Sequence, residues 1–299
     1  MDDRQVAEPG VVWRVPSGAA EALKRWSKQI DAVTFDAALE RARRAGECRQ
    51  ARFEACAPLR KLIERDEIAL EAHRRLAVAQ KEMVVSPAPR VLSGGLGPFE
   101  SWSFDLKPGL HVFARPYDLD RPGPTAGSPA QASARRDTGE FSVNLAYDVD
   151  SHGFRAASAS IVVVFEVSQV GTLSVRPVCE YAFGWLVAGL HLSAHTEGRL
   201  FTTAIRDDDG KVMAHRDVTL WSRTTESDVH SEESDGYAPV WDLEVNFLAE
   251  PGRKFLVSMG ATVSGDQSGD QSILFFPSWS MFCGSLSGKL LWFVAELRP

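Results

Sequence analysis

The run Tyr181-Ala182-Phe183-Gly184-Trp185-Leu186-Val187-Ala188-Gly189-Leu190-His191-Leu192-Ser193-Ala194-His195 decides the fold. Successive side chains of a strand point to opposite faces. Tyr181, Phe183, Trp185 and Val187 therefore share one face with His191, Ser193 and His195, and Ala182, Leu186, Ala188, Leu190 and Leu192 share the other. Both faces are apolar in the first half, so the outer side of this strand needs a cover, because an isolated sandwich shows water one polar face. Ile161–Phe165 and Leu290–Val294 have the same two-sided character. The expectation is a sheet with a covering layer, supplied by the chain's own helices or by a partner.

Around these runs the hydrophobic period is two. Phe141, Val143, Leu145 and Tyr147 alternate with polar or small residues, as do Trp241, Leu243, Val245 and Phe247. Further strands are read at Leu110–Arg115, Ser158–Val167, Thr172–Glu180, Tyr181–Ser193, Leu200–Arg206, Val212–Arg223, Lys254–Gly260, Ile273–Cys283 and Lys289–Glu296. Helix-period segments are missing between them, and Asp208-Asp209-Gly210-Lys211 has hairpin composition. Residues 99–299 therefore read as an antiparallel β-sandwich, with a jelly roll as one form it can take. Asp118–Gly139, with Pro122, Pro124 and Pro129, is expected to be a mobile surface loop. Gly284-Ser285-Leu286-Ser287-Gly288 is expected to be a turn.

Residues 1–90 form a helical leader, which makes the whole chain α+β. Ser17 to Val85 is rich in Ala, Leu, Glu, Lys and Arg, and it is punctuated by Gly46 and Pro58, which points to three helices. In the last, apolar pairs recur every seven residues at Leu62-Ile63, Ala69-Leu70, Leu76-Ala77 and Met83-Val84. That stripe suits lengthwise packing on another helix, as in a coiled coil, within the chain or between copies. Residues 91–98, rich in Gly and Pro, form the joint.

The 299 residues, 44% hydrophobic and 24% charged, fit a globular chain rather than a disordered or disulfide-dense one. Residues 1–90 carry 17 Lys+Arg against 14 Asp+Glu, and residues 91–299 carry 16 against 26. A net charge of −10 on the larger part repels phosphate backbones and speaks against nucleic-acid binding. Four scattered cysteines, with no C-x-x-C pair, read as reduced, buried thiols. The polar N-terminus lacks export-signal character and no stretch matches a membrane helix, so the expected location is cytoplasmic, with export as part of an assembly left open.

No phosphate loop, nucleophile elbow or metal-ligand spacing is legible, and no cofactor is expected. His191 and His195 stand four apart in a strand, about 13 Å, too far to share one ion directly. The acidic runs at Asp207–Gly210, Glu226–Asp235 and the doubled Gly265–Ser272 lack the EF-hand pattern; they read as a hairpin turn, a solvated charge run and a flexible loop. The favoured function is a non-catalytic interaction or assembly protein with a protein partner or self-association. The alternative is a carbohydrate-binding sandwich, with Trp102, Trp221 and Trp279 as exposed stacking candidates and His191 and His195 as further ligand-binding candidates. A hydrolase ranks third and needs two of Glu180, Asp217, Asp242 and Glu244 to meet, or a histidine beside an acid.

Overall fold

The computed structural model describes residues 11–55, 110–146, 153–190, 192–225, 228–237, 242–267, 270–273 and 276–298, with isolated positions between 58 and 75. The joint at 91–98 and the heptad-like stripe lie outside the described residues.

Two antiparallel sheets face each other. The six-stranded sheet runs β1 (Val12–Arg14), β6 (Gly153–Val167), β12 (Phe255–Gln267), β8 (Ala194–Arg206) and β9 (Val212–Thr225), with β3 (Leu119–Ala126) also on β6. The eight-stranded sheet runs β10 (Val229–Tyr237), β7 (Gly171–Leu190), β14 (Phe276–Arg298), β5 (Glu140–Leu145) and β4 (Ala130–Arg135). It is extended by β2 (Leu110–Ala114), β11 (Val245–Ala249) and β13 (Asp270–Ile273). This order supports a two-sheet antiparallel sandwich and does not by itself make it a jelly roll. Helices α1 (Ala19–Val33) and α2 (Phe35–Ala55) pack on β3, β6, β8 and β12.

The two-sided strands are buried on both sides. Ile161, Val163 and Phe165 of β6 join the inter-sheet core, while Val162 and Val164 pack with Leu256 under Ala19 and Ala22 of α1. The covering layer of the six-stranded sheet is thus the chain's own helices. On β7, Phe183, Trp185 and Val187 enter the core, and Ala182, Leu186 and Ala188 are buried on the opposite face. Past a register shift after Leu290, β14 turns Phe293 inward and leaves Leu291 and Val294 in a small outer cluster with Val178.

Four expectations are corrected. Asp118–Gly139 holds β3 and β4 rather than a mobile loop. Pro122 and Pro124 are tolerated because β3, among the described residues, pairs with β6 alone and so is an edge strand, and Pro124 falls in the register shift between Pro122 and Thr125. Residues 284–288 continue β14 instead of turning. A Cβ on Gly288 would lie 2.1 Å from Cζ of Phe141, so that glycine marks a close aromatic approach. Likewise Gly265–Gln267 belong to β12 and Asp270–Ser272 to β13, because pairing with β6 and β8 carries β12 through Gln267. The thiols of Cys179 and Cys283 are buried as expected, but Cys48 is exposed on α2. The hairpin at Asp208–Lys211 forms as read, closed by the Gly210 amide donating to the Arg206 carbonyl at 2.9 Å.

Candidate functional site

The sequence candidates do not gather into one site. Trp102 and His191 lie outside the described residues. Trp279 stands in β14, in register with Asp270. Trp221, expected to be exposed, is 4% exposed, and its ring stacks on Phe183 at 5.1 Å. His195 is buried on the helix side of the six-stranded sheet, with Nδ1 2.9 Å from Oγ1 of Thr224.

A different group comes together where edge strands β9 and β10, one from each sheet, are joined across Thr225 and Asp228. There the Thr225 hydroxyl donates to the Asp228 carbonyl at 3.0 Å. On β9 the register with β8 shifts between Gly198 and Arg199, so that Gly198 pairs with Trp221 but Arg199 with Thr219. The extra residue turns Trp221, and with it Arg223, toward the interior. Trp221 lies over Gly198, where a Cβ would come within 2.0 Å of the ring. Arg223 is exposed, and its guanidinium carbon lies 5.9 Å from the centroid of the Trp185 ring.

On the other wall, register places Glu232 beside Trp185, Ser234 beside Phe183 and His230 beside Val187, all on one face. Tyr181, half-buried, stacks on Phe183 at 6.3 Å. The result is a margin floored by three aromatic rings of β7 and edged by Arg223 and Glu232. Trp185 is 3% exposed, and its indole N–H, also buried, has no hydrogen-bond partner among the described residues. A buried donor left unpaired costs about 1–3 kcal/mol, so an acceptor arriving here has much to gain.

A second polar group lies on the helix side of the six-stranded sheet. Arg199 bonds Glu197 at 2.7 Å and Asp217 at 2.5 Å, Arg41 of α2 bonds Glu197 at 2.9 Å, and the Thr203 hydroxyl meets Nδ1 of His215 at 2.8 Å. Burial opposes charge on Glu197, but the hydrogen bonds and charges of Arg199 and Arg41 outweigh it and hold the carboxyl below its usual range. For His215, burial lowers the imidazole pKa, the Arg41 and Arg199 charges add to this, and Asp217 opposes it. The folded state thus binds this proton less readily than the unfolded chain. Stability from His215 is present above its ordinary pKa of 6.5 and falls as the pH drops through that value toward the folded-state pKa. In urea titrations across pH 7 to 5, His215→Gln is expected to show a smaller acid-side loss than the native protein. An unchanged pH slope would contradict this.

Three of the carboxylates named for hydrolysis are each set against a cation. Asp217 pairs with Arg199 outside one sheet, and Glu244 pairs with Arg176 at 2.8 Å and Ser174 at 2.6 Å outside the other. Glu180 stands opposite Lys289, and Asp242 is exposed. Among the acids of the 207–210 turn, Asp208 and Asp209 are engaged by Arg206 and Arg253. Among the described residues no three His, Cys, Asp or Glu side chains are grouped to hold a metal, and no helix is long and apolar enough to cross a membrane.

No protein-family model and no curated protein matches the chain. Solved structures give faint likenesses. TmCBM61 in complex with β-1,4-galactotriose is 14% identical over 71% of this chain and all of its own, with a TM-score of 0.18. A carbohydrate-binding module of Cellvibrio mixtus lichenase 5A with cellotriose is 12% identical over 63% of this chain and 98% of its own, at 0.17. The structure of infectious bursal disease virus, Gx strain, is 8% identical over 60% of this chain and 47% of its own, also at 0.17. Scores this low do not establish a shared fold.

Proposed function

We propose that the protein is a non-catalytic binding module that takes a carbohydrate at the margin between β9 and β10. The unpaired indole N–H of Trp185, set between an exposed arginine and an exposed glutamate, carries this reading. A sugar supplies what the margin asks for: an acceptor oxygen for the N–H and for Arg223, a hydroxyl donor for Glu232, and an apolar C–H face for the half-buried ring of Tyr181. The acidic β10, with exposed Glu232 and Glu233, favours an uncharged glycan over an anionic one. The self-association expected of the helical leader finds less support in α1, which buries Ala19, Ala22 and Ile30 inside its own chain.

Trp185→Phe tests the reading, because it keeps a ring and removes the N–H. The N–H makes no hydrogen bond to lose, but the ring is 3% exposed, so the smaller side chain leaves a cavity and the urea midpoint should fall modestly, by about 1–2 kcal/mol. Affinity for the best member of a panel of neutral oligosaccharides, measured by calorimetry, should fall about tenfold, the weight of roughly one hydrogen bond. Glu232→Ala should weaken binding similarly. Absence of binding by the native protein across the panel at millimolar concentration would reject the proposal.

A further inference from the structure

The two helices rest on unlike ground. Beneath α1 lie Val162, Val164 and Leu256, and the helix is further fixed by Trp26, whose indole N–H donates to the Asp207 carbonyl at 2.8 Å and whose ring caps Gly210. Asp31 of α1 also receives the buried Arg121. The same sheet face carries a second surface of small and hydroxyl-bearing residues: Ser158, Ser160, Ser258, Gly260, Thr262 and Ser264. Helix α2 packs on β6, β8 and β12, the strands that carry this bed, and offers little more than Phe35, Ala38 and Ala42 to it. Gly46, expected to interrupt the helix, sits within it instead, and its missing side chain makes room for Asp266 and Phe154; a Cβ would lie 2.8 Å from the Asp266 carboxylate.

Alanine and serine surfaces exclude little apolar area from water, so this contact gains far less than the inter-sheet core. Ser160 Oγ, wholly buried, has no hydrogen-bond partner among the described residues, so burying this bed leaves a polar group uncompensated. The ion pair from the described α2 side chains to the sheet is Arg41–Glu197. The pairs Glu40–Arg43, Glu40–Arg44 and Arg43–Glu47 run along the helix itself and support it whether or not it is docked.

We infer that α2 is a releasable strap, hinged at Thr34 between the two helices, which lifts from its serine-rich bed while α1 and both sheets stay folded. Lifting uncovers the buried Glu197, Asp266 and His195, the last two in facing positions on β12 and β8 beside the already exposed Thr224 of β9. These groups can hydrogen-bond to water once α2 leaves, which is why the exposed face would remain soluble. The strap and the glycan margin use different faces, so either can fail without the other.

Native-state amide exchange on the full chain tests this. The amides of Ala38 and Ala42 should exchange at least about 100-fold faster than those of Met259 and Ala261 in β12, and with weaker dependence on denaturant, as sub-global opening requires. Arg41→Ala should speed exchange at Ala38 and Ala42 about tenfold further and leave β12 unchanged. If Ala38 and Ala42 exchange at the β12 rate with the β12 denaturant dependence, α2 opens only with the whole molecule and the inference falls. Equal acceleration of both elements by Arg41→Ala would overturn it too.

Discussion

Trp221→Ala is expected to destabilise the protein by about 3–5 kcal/mol, the range for removing a large aromatic side chain from a packed interior. The ring is 4% exposed, lies on the bare backbone of Gly198, stacks on Phe183 and donates its N–H to Oγ1 of Thr196 at 3.4 Å. No neighbour can fill the space without moving a strand, because Gly198 has no side chain and Phe183 is held in β7. Urea unfolding would show a lower midpoint with an unchanged slope. Were Trp221 a surface platform, alanine would leave the midpoint within about 0.5 kcal/mol, the usual size of a surface substitution.

Arg155→Met should be comparably severe, a loss of about 3–5 kcal/mol, for a different reason. Arg155 is 2% exposed and bridges the two sheets from β6. It donates to the Ala146 carbonyl at 2.7 Å, to Oε1 of Gln267 at 2.7 Å and to the Phe282 carbonyl at 3.1 Å, and its guanidinium lies 4.2 Å from the Phe282 ring centroid. Methionine restores much of the volume but no donor, so buried carbonyls lose charge-assisted hydrogen bonds worth about 1.5–3 kcal/mol each. Gln267 would keep only the Phe282 amide, at 3.0 Å, among these contacts. Thermal unfolding with Arg155→Met would show whether this clasp stabilises the fold. A shift no larger than that of an exposed arginine variant would count against it.

The β-rich architecture was plain in the sequence because two-residue alternation survives local irregularity. Phe141, Val143 and Leu145 face the core as read, and so do Val245 and Phe247. The covering layer followed from residues 161–165, which no single sandwich face could hide. The candidate margin was only half legible. Tyr181, Phe183 and Trp185 announced one aromatic face, but Glu232 lay in the run read as solvated charge and Arg223 carried no signal, because only the meeting of β9 and β10 brings them to that face. Trp221 misled because it sits among polar neighbours, and alternation counted from Val218 turns it outward.

By itself, then, the chain's order of residues determined the strands that alternate every second residue, their greasy faces and the helical character of residues 19–55, since these depend on spacing between near neighbours. Only the tertiary structure decided which way Trp221 points, whether residues 284–288 turn or run straight, and what lies beside Trp185. A bulge is settled by the strand it pairs with, a strand glycine by the ring that covers it, and a margin by the meeting of two edges. Each of these depends on residues far away in the chain, where local periodicity carries no information.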